Sequence, residues 1–124
     1  MESAPQDENI KYGFKIEDDP HLKSAFRIQF HYEGDIYVTL RILTKDYSGS
    51  DLVISNLTVI PDSEQGKGFG SKGLQKVLEW AKDQGHKVIR ATQVSKHNDE
   101  FWTKNGFEFI KGENDTRDFI LRLD

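Results

Sequence analysis

The stretch that most restricts the fold is LVISNLTVI, residues 52–60, which runs into Pro61, a glycine-rich loop and an amphipathic segment closed by Gly85. Apolar residues fall on both parities of this run, Leu52, Ile54 and Ile60 on one and Val53, Leu57 and Val59 on the other. A strand of that kind must be covered on both faces, so it belongs inside a sheet. Pro61 lacks the amide N–H that would continue a ladder and ends the strand. Beyond the loop, Leu74, Val77, Leu78 and Ala81 recur at helical spacing, and Gly85 stands where a helix terminus takes a left-handed residue. The β-rich stretch 86–94 follows. Strand, crossover helix and strand make a βαβ unit with parallel strands, which puts the glycine loop at the carboxyl edge, where such sheets bind ligands.

The flanking sequence is antiparallel in character. A short strand is expected at 11–16. Phe26, Ile28, Phe30 and Tyr32 then alternate with Arg27, Gln29 and His31, Glu33-Gly34-Asp35 turns the chain, and Ile36, Val38, Leu40 and Ile42 form the returning arm of a hairpin. Turn residues occupy 47–51. Downstream, Asn98 is placed to cap a short helix with Asp99 and Glu100 in its first turn and Gly106 at its end. Phe107 and Phe109 form a strand, 112–115 turns, and Phe119, Leu121 and Leu123 alternate in a closing strand. The fold class is therefore α/β (α+β): a mixed, mostly antiparallel sheet with a central parallel βαβ unit and helices packed on its faces. Residues 1–10 read as a flexible acidic tail and 11–124 as a single domain, since a chain of 124 residues buries roughly two-thirds of its unfolded surface.

Composition removes several functions. There is no cysteine, which excludes disulfides, thiolate metal sites and cysteine nucleophiles. A net charge of −4 with interspersed signs argues against nucleic acid, whose binders need a basic stripe to displace counterions. Lys67, Lys72 and Lys76 form at most a local basic patch, suited to a small anion, and Lys76 reads equally well as part of a solvated helix face. No segment approaches the roughly 20 apolar residues that span a bilayer, and the first ten residues do not form a signal peptide, so a cytoplasmic protein without membrane association is expected.

What remains is the loop Gln65-Gly66-Lys67-Gly68-Phe69-Gly70-Ser71. A helix N-terminus offers unpaired N–H groups and a partial positive charge, and glycines let the backbone approach a phosphate closely. An ordinary turn is the other reading of the loop taken alone. Gly68-x-Gly70-x-x-Gly73 satisfies the dinucleotide fingerprint, but no acidic residue stands near Gln93, where that motif needs one, and the loop follows a hairpin rather than opening a doubly wound sheet. The P-loop pattern fails, because Pro61 stands five positions before Gly66 and Gly68 follows Lys67.

A third pattern covers more of the chain. Gln65-x-x-Gly68-x-Gly70, after a strand with Leu57-x-Val59-x-Pro61 and before a helix with Leu74, resembles the acyl-CoA-binding motif of the GNAT family of N-acetyltransferases. Phe101-Trp102-Thr103-Lys104-Asn105-Gly106-Phe107 is similar to that family's second signature. The resemblance runs over about residues 25 to 124 and implies acetyl-CoA as co-substrate and an amine, small or on a protein, as acceptor. It implies that the backbone of Leu57, Thr58 and Val59 holds the pantetheine arm like an extra strand. The amides of Gln65, Gly66, Lys67, Gly68, Phe69, Gly70 and Ser71 would wrap the diphosphate, with Lys67 and Lys72 adding charge. Asn98 would reach the pantetheine, or serve only as a helix cap. The state would be monomer or homodimer.

Three departures from the family pattern accompany the resemblance. Trp102 stands where a tyrosine usually protonates the leaving thiolate. Ser55 and Asn56 occupy the stretch where a glutamate base is often found, and no carboxylate lies between Asp51 and Asp62. Water would then relay the amine proton to His31, His97 or Glu100, or Trp102 merely packs, or the domain binds acyl-CoA without turnover. Finally, residues 17–24 leave room for one turn of helix where the family usually places two helices, so the acceptor side should be open. Glu17, Asp18 and Asp19 there would attract a cationic amine or form a solvated loop.

Overall fold

The computed structural model describes residues 12–20, 25–43, 52–92, 94–111 and 116–123. The expected tail at 1–10, the turns at 47–51 and 112–115, and Gln93 lie outside the described residues. Strands β1 (Phe14–Asp18), β2 (Ala25–Tyr32), β3 (Ile36–Leu43) and β4 (Leu52–Ile60) are followed by helix α1 (Phe69–Asp83) and strand β5 (Val88–Ala91). Helix α2 (Asp99–Lys104) and strands β6 (Glu108–Lys111) and β7 (Arg117–Arg122) complete the order. One seven-stranded sheet results, ordered β1-β2-β3-β4-β5-β7-β6. All its pairs are antiparallel except β4 with β5.

The hairpin register follows the alternation in the sequence: Ile28 faces Leu40 and Phe30 faces Val38 across β2 and β3, with Asp35 at φ 57° in the turn between them. Ile28, Phe30, Val38, Leu40, Leu74, Val77, Ile89 and Phe119 are buried together in the core. Helix α1 packs on this face, with Leu74, Val77, Leu78, Trp80 and Ala81 turned inward. Gly73 is the point of closest approach: a Cβ there would lie 2.9 Å from Val38 Cγ1 and 3.2 Å from the Phe30 ring. Helix α2 sits beside α1. The Asn105 amide that follows it donates to Ser71 Oγ (3.1 Å) and to the Phe101 carbonyl (2.7 Å), and Gln75 donates to Asn105 Oδ1 (2.9 Å).

The opposite face is polar where β2 to β4 place the half-buried Gln29, Thr39 and Thr58 in cross-strand positions beside the exposed Asn56. Neither helix lies on it among the described residues. Residues 21–24, half of the segment on which the expectation of an open acceptor side rests, lie outside the described residues. Glu17 pairs with Arg27, and Arg41 Nε donates to Asp19 at 3.0 Å, so these two acidic groups are engaged by neighbouring strands. Farther along, Arg90 on β5 donates through Nε (3.0 Å) and a terminal nitrogen (2.8 Å) to Asp118 on β7, and this ion pair is buried.

Three sequence expectations differ from the structure in detail. The first strand covers Phe14–Asp18 rather than 11–16, because the chain turns at Gly13, where φ is +83°. Strand β5 is shorter than 86–94, because after Thr92 the chain leaves β4 and Val94 N–H donates instead to the Arg117 carbonyl of β7 at 2.7 Å. Asn98 occupies the cap position of α2 but makes no side-chain capping bond, since the preceding 3-10 turn Lys96–Asn98 already shapes the entry to the helix.

Candidate functional site

The departure of β5 from β4 creates the site. Parallel pairing covers only Leu52–Ile54 of β4, and the last bond runs from Thr92 N–H to the Ile54 carbonyl at 3.1 Å. Among the described residues, no strand lies on the β5 side of β4 from Ser55 onward, so its backbone groups face a wedge-shaped cleft of about 570 Å³. The wedge begins at an irregularity: β3 residues Arg41 and Ile42 face Asn56 and Ile54, which leaves Ser55 as the extra residue of a β-bulge. A bulge sharpens local twist and turns a strand away from its neighbour.

At its far end the cleft runs into the start of α1. Pro61 and the 3-10 turn Asp62–Glu64 lead into Gln65, whose side-chain amide donates to Asp62 Oδ1 at 3.2 Å. Gly66 and Gly68 have φ of +82° and +93°, and a Cβ on either would meet no heavy atom within 4 Å. Side chains are therefore disfavoured by the backbone there and the space beside it is open. Gly68 caps α1 without any side-chain hydrogen bond, and the first intrahelical bond is Lys72 N–H to the Gly68 carbonyl at 3.0 Å. The amides of the first turn are thus presented to the cleft with the positive end of a 15-residue helix behind them.

The cleft is lined by Leu57, Thr58, Val59, Gln65, Gly66, Gly68, Gly70, Ser71, Asn98 and Trp102, ten of the residues singled out from the sequence. Lys67 and Phe69 are not among its lining: the Lys67 ammonium lies 3.3 Å from Glu64, and the Phe69 ring packs 5.3 Å from that of Tyr32. Lys72 stands over the Phe69 ring and Lys76 pairs with Glu79, so the three lysines are not drawn together into a patch. Of the proton-relay candidates, His97 and Glu100 line the cleft, whereas His31 stacks on Tyr37 at 4.5 Å on the hairpin.

Trp102 is 6% exposed and makes edge contacts with Phe101 (5.1 Å) and Phe107 (5.0 Å), forming an aromatic wall. Its indole has no acidic proton to give at neutral pH. Phe101 also fixes the loop, because a Cβ on Gly70 would lie 3.2 Å from its ring and 3.4 Å from Leu57. Sequence reasoning did not find Ser95 or Thr92, which the fold brings to the cleft from the segment after β5, and it gave Lys104 of α2 only as part of the second signature, without a place in the cleft. Nor did it find the buried Asn105 bridge. No periodicity marks such residues, since their position depends on where β5 turns away. Among the described residues no group of His, Asp or Glu side chains could hold a metal ion, and no helix is long and apolar enough to cross a membrane.

Comparison with known proteins agrees with this geometry. The profile of the family described as "Acetyltransferase (GNAT) family" matches residues 4–107. An acetyltransferase of the GNAT family from Staphylococcus aureus superposes with a TM-score of 0.64 at 19% identity, over 94% of this chain and 76% of that one. An acetyltransferase from Thermus thermophilus gives 0.59 at 22% identity, over 80% of this chain and 63% of the other. N-acetylglutamate synthase from Neisseria gonorrhoeae, solved with coenzyme A and N-acetylglutamate, gives 0.57 at 20% identity, over 84% of this chain but 26% of that much longer one. At these identities the likeness is one of fold. No curated protein sequence matches the chain.

Proposed function

The chain belongs to the GNAT acetyltransferase family, and on that premise we propose that it transfers an acetyl group from acetyl-CoA to an amine. The observation that carries the reading is the continuity of the wedge: an unpaired edge of β4 leads directly into an uncapped helix N-terminus whose loop has room where side chains would be. The backbone of Leu57, Thr58 and Val59 offers the pantetheine arm the same hydrogen bonds that an added strand would take. Gln65, Gly66, Gly68, Gly70 and Ser71 receive the diphosphate on main-chain amides, where fixed dipoles favour an anion. Asn98 and Trp102 form the opposite wall.

Attack requires a neutral amine, and an alkylamine with pKa about 10.4 is protonated at neutral pH. The amine nitrogen bonds to the acetyl carbon, the carbon–sulfur bond breaks with its electron pair going to sulfur, and the amine's surplus proton passes to water. His97 and Glu100 line the cleft and are the side chains available to receive it through solvent. The acceptor, a small amine or an amine carried on a protein, approaches from the polar sheet face, and the enzyme acts as a monomer or a homodimer. A non-catalytic acyl-CoA-binding or protein-interaction module on the same fold is the second reading, favoured by the enclosed Trp102 and by the lack of a carboxylate on β4.

The test is calorimetric titration with acetyl-CoA, CoA and NAD, followed by thiol release across a panel of amines and proteins. Binding of both CoA species and none of NAD is expected, with thiol release separating the enzyme from the binding module. Gly68→Val should weaken CoA binding at least about tenfold, as loss of one or two amide contacts worth about 1.5 kcal/mol implies. Unchanged affinity in a folded Gly68→Val protein would remove the diphosphate from this loop.

A further inference from the structure

Asn105, which follows α2, is 7% exposed, and its three side-chain hydrogen bonds fix the direction of its amide. The Phe101 carbonyl can only accept, so the Asn105 atom 2.7 Å from it is the nitrogen. Gln75 Nε2 donates to the Asn105 oxygen at 2.9 Å, which agrees with that orientation. The second hydrogen of the Asn105 nitrogen therefore goes to Ser71 Oγ at 3.1 Å, and the serine is the acceptor. A hydroxyl has one proton to give, and here it has to point away from Asn105. Among the described residues Ser71 makes no other side-chain hydrogen bond, not even the bond back to the carbonyl four residues earlier that serines in helices often form. Ser71 is half-buried and lines the cleft, so its proton is open to solvent or to a bound molecule rather than shut in.

Ser71 also stands in the first turn of α1, ahead of the first intrahelical bond, so hydroxyl and amide are two donors at one position of the cradle. We propose that Asn105 is a positioning residue for the cofactor: its donation to Ser71 Oγ directs the Ser71 O–H onto a diphosphate oxygen of CoA, beside the main-chain amides. The bonds then run in one sense, Gln75 to Asn105 to Ser71 to phosphate, and each group becomes a better donor for the bond it accepts. A hydroxyl donating to an anionic oxygen makes a charge-assisted bond, about twice as strong as a neutral one. Without Asn105 the serine rotates, and the carbonyls of its own chain compete with the phosphate for its proton. The inference rests on the acetyl-CoA reading.

Ser71→Ala, Asn105→Ala, the double variant and Asn105→Asp test it. Affinity for CoA is measured by calorimetry, affinity for S-acetylpantetheine, which has no diphosphate, by NMR titration, and the resonances of the bound diphosphate by phosphorus NMR. Ser71→Ala should weaken CoA binding about tenfold, as loss of one hydrogen bond to a charged group implies. Asn105→Ala should weaken it several-fold, and the double variant should lose no more than Ser71→Ala, because the asparagine acts only through the serine. Asn105→Asp, which accepts the serine's proton itself, should bind CoA at least as weakly as Ser71→Ala. The diphosphate resonances should move alike in Ser71→Ala and Asn105→Ala, with S-acetylpantetheine affinity unchanged throughout. Additive losses in the double variant, or equal losses for S-acetylpantetheine, would make Asn105 a structural bridge only and overturn the inference, as would unchanged CoA affinity in Ser71→Ala. Absence of any CoA binding by wild-type protein overturns the acetyl-CoA reading and the inference with it.

Discussion

Replacing Gly73 by alanine adds a single methyl group at the place where α1 comes closest to the sheet. In an exposed helix that change would stabilise by about 0.8–1.0 kcal/mol, because glycine loses more backbone freedom on folding. Here the new Cβ lies 2.9 Å from Val38 Cγ1 and 3.2 Å from the Phe30 ring. Neither neighbour can retreat: Val38 is 0% exposed with a β-branched side chain, and Phe30 is 2% exposed between β1 and β3. Overfilling a close-packed core costs about 1–3 kcal/mol. The two effects together give a net loss of about 1 kcal/mol, or about 3–6 °C in thermal midpoint for a chain of this length. Gly73→Val, which gains less in helix propensity and adds two further carbons, should lose about 3 kcal/mol. Urea and thermal unfolding followed by circular dichroism measure both. Gly73→Ala as stable as wild type or more so would refute the argument, because it would mean that the helix can lift away freely and that its N-terminus is not held against β4 by this contact.

Two further outcomes follow from groups at the sheet. Asp118→Ala leaves the Arg90 guanidinium buried without its carboxylate and should destabilise by about 3–5 kcal/mol in urea unfolding; a change below 1 kcal/mol would show that Arg90 reaches water readily. Burial holds the Tyr32 hydroxyl above its ordinary pKa of 10.0. The folded state therefore keeps that proton when the unfolded chain has lost it, so the stabilisation is complete below pH 10 and is lost as pH rises through the raised folded value. Tyr32→Phe should show a shallower decline of stability above pH 10 than wild type, and identical slopes would exclude Tyr32 as the source.

Much of the architecture is legible in residue order because it depends on local periods. The alternation of Phe26, Ile28, Phe30 and Tyr32 against Ile36, Val38, Leu40 and Ile42 determined the hairpin and its register. Leu74, Val77, Leu78 and Ala81 determined α1, which starts at Phe69 and gives way to Gly85 at φ +92°. The loop at 65–71 was visible because positive φ at Gly66 and Gly68 is a property of the residue type.

Tertiary structure decided what periodicity leaves degenerate. A strand apolar on both parities gives no sign of a bulge, so the extra residue at Ser55 emerges only when β4 is laid against β3. Gly73, which fits a phosphate-loop spacing on paper, is required instead by contact with Val38 and Phe30. Arg90 and Asp118 read as surface charges until β5 and β7 bury them together. The cleft itself depends on Thr92 bonding to β4 while Val94 bonds to β7. Local sequence sets backbone preference and the faces of each element, but where two neighbouring strands part company is a competition between distant hydrogen-bond partners, and only the assembled sheet resolves it.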